Sequence, residues 1–179
     1  GDAPGLDVAM EGGAFGTIRA NVGISGQSVS SWYSLALDHF NSGNFSAADA
    51  GNGNAEHDRF RNTAIDARSG TRFDSGFAAE GFLTYFDGST RFDQFDFVAG
   101  PIDDPNALQD TRQTYGGVAL GYDRGMYAGK VTLSATEKRL GTSDPDGFTV
   151  SSSIDASIRE IDFQSNLRLG DNNTTVAGI

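Results

Sequence analysis

The sequence predicts an all-β chain arranged as an antiparallel sheet of long strands, and three observations carry that expectation. Apolar and polar residues alternate with a period of two over long stretches. Gly is abundant at 24 residues while only 4 Pro interrupt the chain of 179, which suits an extended, half-buried sheet. The connections between alternating stretches switch between long and short. Long loops at one end and tight turns at the other are the pattern of a transmembrane β-barrel segment. A β-sandwich accepts the same strands and stands as the competing architecture.

The elements follow in chain order. Leu6–Gly13 and Thr17–Gly23 are short candidate strands around the reversal GGAFG, because a helix there would lose about 1 kcal/mol at each glycine. Ser25–Ser30 is a turn. Ser31–Phe40 resumes alternation, with Tyr33, Leu35 and Leu37 opposite Trp32, Ser34 and Ala36. Asn41–His57 is small, polar and Gly-rich and is expected to be a loop. Arg59–Ala67 is a weaker strand, followed by a turn at Ser69–Asp74.

Ser75–Asp96 is the central stretch, a long strand running into an acidic loop at Phe97–Asp110. Ala79, Gly81, Leu83 and Tyr85 share one face, and Glu80, Phe82 and Thr84 share the other. Thr114–Asp123 and Tyr127–Glu137 form the next pair of strands about Arg124–Gly125. Lys138–Ser153 contains the turn sequence DPDG and is expected to be a loop. Ser157–Leu169 alternates Ile161, Phe163 and Leu167 with Glu160, Asp162 and Arg168. A turn at Asp171–Asn173 leads to Thr174–Ile179, a strand that looks cut off.

About nine strands result, an awkward number for a bacterial single-chain barrel, which normally has an even count. The expectation is therefore a partial barrel domain over 1–179. Tyr33, Phe40, Tyr85, Tyr115, Tyr122 and Tyr127 would supply interfacial aromatic girdles. In a sandwich the same rings would pack a core.

Composition narrows the function classes. Thirteen basic against 24 acidic residues give a net charge of −11, which disfavours a generic phosphate-binding surface and nucleic acid as a partner. The absence of cysteine removes disulfide scaffolds, thiolate metal sites and cysteine nucleophiles. No apolar run approaches a spanning helix. His39 and His57 lie in no HExxH motif, and no GxSxG elbow occurs, so no catalytic residues are assigned and an enzyme is not expected.

Taken from the residues alone, the acidic groups around the long loops are the best candidate site. Glu56 and Asp58 leave one loop, while Asp93 and Asp110 bracket the next. Calcium takes six to eight oxygen ligands, which two facing loops could supply. Asp103 and Asp104 would serve equally well, and ordinary solvated loop charge explains all of them too.

The order of these segments resembles the N-terminal part of the barrel in TonB-dependent outer-membrane receptors. EGGAFGTIRANVGISG is similar to the family's first barrel hairpin, SWYSLALDHFNSGNF to the next strand, and EHDRFRNTAIDARSG to a loop exit and strand. YFDGSTRFDQF and LQDTRQTYGGVALGYD resemble the cobalamin-receptor branch. The resemblance implies part of a 22-stranded barrel in the bacterial outer membrane, with the plug domain absent. It implies import of cobalamin, a related corrinoid or another large metal chelate, with outer-membrane lipid and, through the plug, periplasmic TonB as partners.

The same resemblance carries a calcium role to Glu56, Asp58, Asp93 and Asp110, although Glu56 stands where the family has Asp. Phe45, Phe95 and Phe97 are the expected ligand-contact residues. An iron-siderophore receptor of the same superfamily and a soluble β-sandwich binding module are the alternatives.

Overall fold

The computed structural model describes residues 4–45, 58–96, 98, 100–102, 104, 106–169 and 173–179. Nine strands form one antiparallel sheet: β1 (Gly5–Gly12), β2 (Ile18–Gln27), β3 (Ser31–Phe45), β4 (Asp58–Arg72), β5 (Phe77–Arg91), β8 (Leu108–Arg124), β9 (Tyr127–Ser143), β10 (Ser151–Arg168) and β11 (Thr174–Gly178). Between β5 and β8 lies a small separate hairpin, β6 (Gln94–Asp96) and β7 (Gly100–Ile102). Every strand of the large sheet pairs with its nearest predecessor in that sheet, giving an up-and-down meander.

Closure is the point on which the structure departs from expectation. Among the described residues, β1 pairs only with β2 and β11 only with β10, so the sheet is open at both sides. A barrel requires its first and last strands to hydrogen-bond to each other, because unpaired backbone cannot face hydrocarbon. The expected transmembrane barrel segment, its place in a 22-stranded receptor and the outer-membrane assignment are corrected accordingly. Among the described residues, no helix is long and apolar enough to cross a membrane.

The strands also run further than alternation indicated. β3 continues through Asn41 to Phe45, β8 begins at Leu108, and β9 extends through Lys138–Thr142 to Ser143. Polar residues in these extensions look like loop when one face is assumed dry. In a sheet with two accessible faces, they sit in strand without a desolvation cost.

Directly opposed residues in antiparallel strands share a face, so the registers assign both surfaces. One face carries Val8, Val22, Leu37, Ile65 and Tyr85 in one row. Across β8 and β9 the same face carries Val118 opposite Leu133 and Leu120 opposite Val131. Along this band the strands place no charged residue between Tyr33 and Leu37, between Ile65 and Ser69, or among Val118, Leu120 and Tyr122. The opposite face is polar and is laced by ion pairs, including Arg19–Asp38 at 2.9 Å and Arg68–Glu80 at 3.7 Å. Thr84 donates to Asp66 on the same side, at 2.8 Å.

Among the described residues, nothing covers either face. Gly88, Asp104, Ala107 and Ala119 are the buried residues among those described, whereas Leu35, Leu37 and Leu83 are each 43% exposed and Leu120 is 62% exposed. The accessible area is 12167 Å², against about 8300 Å² for a compact chain of this mass. The described residues therefore form their backbone ladder without enclosing a core.

Candidate binding surface

The end of the sheet that carries the long connections concentrates the charge. On the face that also bears the apolar band, Asp87 of β5 opposes Arg112 of β8, Arg112 opposes Arg139 of β9, and Arg139 opposes Asp155 of β10. The four residues form one row across four strands. Arg112 Nε donates to Asp87 Oδ2 at 3.1 Å, and Arg139 Nε lies 3.7 Å from Asp155 Oδ1. Tyr85 donates to Asp87 as well, at 3.2 Å. The Arg112 pKa is raised above its ordinary value, chiefly by the hydrogen bond to Asp87.

Concavities flank this row on both sides. One, of about 410 Å³, is lined by Arg61, Asp87, Asp110, Arg112, Arg139 and Gly141. The other, of about 360 Å³, includes Arg112, Glu137, Lys138, Arg139 and Asp155. A further concavity of about 450 Å³ lies near the tight turns, against Phe73, Phe77 and Tyr122, and another of about 520 Å³ lies over Tyr33, Leu35 and Leu83 in the apolar band.

Of the calcium residues expected from sequence, Asp110 is in β8 and lines the 410 Å³ concavity. Asp58 opens β4. Asp93 lies between β5 and β6, half-buried, and neither carboxylate oxygen accepts a hydrogen bond. Glu56 lies outside the described residues, as does Phe97. Phe45 ends β3 and Phe95 lies in β6. Among the described residues, no three His, Asp or Glu converge as a metal cluster.

Asp104 has a local task. Its Oδ1 accepts the backbone N–H groups of Asn106, at 3.2 Å, and Ala107, at 3.0 Å. This is the Asx turn by which a short acidic side chain substitutes for backbone partners. Asn106 in turn donates to Asp146 at 2.7 Å, tying the β7–β8 connection to the β9–β10 connection. DPDG is a turn, with Gly147 N–H donating to Asp144 O at 3.2 Å. His39 shares a hydrogen bond with Thr63 across β3 and β4, at 2.9 Å.

Sequence reading passed over Asp87, Arg139 and Asp155 because no motif joins them. Their signal is register: opposed positions in successive antiparallel strands have a constant sum, and the row appears once the turns are fixed.

The sequence matches no protein-family model and no curated protein. The resemblance to TonB-dependent receptors does not hold for the fold observed, since the sheet is open. The reading of the chain as the barrel portion of an importer, and equally as a siderophore receptor of that superfamily, falls with the barrel segment on which it rested.

Proposed function

We propose that this chain is a non-catalytic binding module whose apolar face packs against a second copy, forming a two-layered β-sandwich. The single observation that carries the reading is the uncovered band of Leu35, Leu37, Leu83, Val118, Leu120 and Leu133, all exposed by 43% or more. An apolar patch of this extent marks an interaction surface. Nine strands about 4.8 Å apart and a band some 20 Å tall give roughly 800 Å² per copy. That is the area each partner contributes to a standard stable interface. Two such faces pack at about 10 Å, and the band's lack of charge allows them to meet without burying an unpaired ion.

Sedimentation equilibrium of the chain in dilute buffer tests this reading. A dimer is expected, converted to monomer by Leu120→Lys combined with Leu133→Lys. A wild-type chain that stays monomeric, or that disperses only with detergent, overturns it.

A second reading, calcium binding at the β5–β6 connection, is favoured by Asp93. Two shielded carboxylate oxygens without donors suit a cation, and calcium accepts such hard ligands. Phe92 N–H donates to Ala107 O at 3.4 Å beside the Asp104 turn, which holds this connection in place. Calcium should raise the thermal midpoint of the wild type and leave Asp93→Asn unmoved. An equal response in both chains counts against the assignment.

A further inference from the structure

We infer that Arg112 and Arg139 form a clamp for a phosphate group, seated over Gly141. Two guanidinium groups directly opposed in neighbouring strands repel each other, so their placement is favourable only with negative charge close by. Asp87 and Asp155 supply it from the outer sides of the row, each meeting its arginine through Nε, which leaves the other guanidinium donors directed at solvent. Held in that way, both side chains remain about two-thirds exposed, at 64% and 67%. A planar guanidinium offers several further donors in a fixed fork, matched to phosphate oxygens.

Gly141 provides the seat. It opposes Asp110 and follows Arg139 by two positions on the same face. A side chain built at this position would meet nothing within 4 Å. Its backbone is not in the left-handed region that would demand glycine, so the missing side chain leaves an open floor beside the arginine pair. Arg61 adds a third cation to the wall of the same concavity. Asp110 is the opposing charge there and should weaken the site. The row lies beyond the charge-free band, so phosphate binding does not depend on what covers that band.

The shared chemistry is a phosphate monoester or free phosphate, and two arms separate the sources. In the first, ³¹P line broadening is followed as inorganic phosphate or pyrophosphate is titrated with the full chain. Saturable binding is expected, with pyrophosphate the tighter of the two. Arg112→Gln and Arg139→Gln should each weaken it by about tenfold, the loss of one charge-assisted contact. Arg139→Lys should recover only part, Gly141→Val should block the seat with both arginines intact, and Asp110→Asn should tighten binding.

In the second arm, flotation compares vesicles containing phosphatidic acid with vesicles containing phosphatidylglycerol. Binding confined to phosphatidic acid and lost in Arg112→Gln assigns the phosphate to a lipid headgroup. Absence of binding in both arms overturns the clamp. So does phosphate binding that is indifferent to both arginine substitutions in chains whose circular dichroism matches the wild type.

Discussion

Trp32 and Gly70 face each other across β3 and β4, and the indole of Trp32 fills the space that a side chain at residue 70 would need. Arg72 extends along the same face, its Cζ 4.9 Å from the centroid of the Trp32 ring. A parallel arrangement joins Tyr33 to Gly26 across β2 and β3, where an added methyl would come within 2.7 Å of the phenol. Glycine in a strand weakens it, and a cross-strand aromatic laid over the bare backbone restores the lost contact.

Gly70→Val should therefore destabilise the chain even though valine is the better strand former. The expected cost is about 1–3 kcal/mol, the range for overpacking a well-filled position. Urea denaturation followed by tryptophan fluorescence measures it, since Trp32 is the sole tryptophan. An unchanged midpoint would show that the indole can move aside freely.

Two turn glycines should respond differently from each other. Gly76 has φ +92°, and a methyl there would meet the Asp123 carbonyl oxygen at 2.7 Å, while its own carbonyl accepts the Asp123 N–H at 2.9 Å. Gly125 has φ +64° with nothing within 4 Å. Gly76→Ala should cost about 1–2 kcal/mol or more from backbone strain and contact together. Gly125→Asn should be nearly neutral, because Asn tolerates the left-handed region. Thermal unfolding of the two variants side by side gives the comparison, and equal losses would contradict it.

The ion pair of Arg19 with Asp38 should leave little trace in stability. Its hydrogen bond to Asp38 raises the Arg19 pKa further above an already high ordinary value. A group with a raised folded pKa contributes fully below its unfolded pKa, and the contribution disappears only as pH rises through the folded one. Both lie in strong alkali, so from pH 6 to pH 10 the difference between wild type and Arg19→Gln should be flat. With the side chain more than half exposed, that difference should also be small and reduced by salt. Denaturation midpoints at several pH values check both points.

The alternation around Leu35–Leu37 and Val131–Ala135 was legible because oily and polar side chains there take turns strictly. Strand ends at Phe45, Leu108 and Ser143 were not, since Asn41, Gln109 and Thr142 resemble loop residues wherever solvent reaches both faces. Closure was equally hidden. A period of two assigns faces, but it carries no information about whether β1 meets β11. Of the candidate site, Asp93 and Asp110 stood out as acidic loop residues, whereas the Asp87–Arg112–Arg139–Asp155 row required the registers of three strand pairs.

The meander order of the large sheet has a kinetic consequence. Each strand after the first finds its partner in the preceding strand of the sheet, and the joint of Arg91 with Leu108 bridges only the β6–β7 excursion. Ordering can thus spread like a zipper from any formed hairpin, with little loop entropy lost at each step. Damage to an outer ribbon should accordingly fray that margin while leaving the middle of the ladder paired.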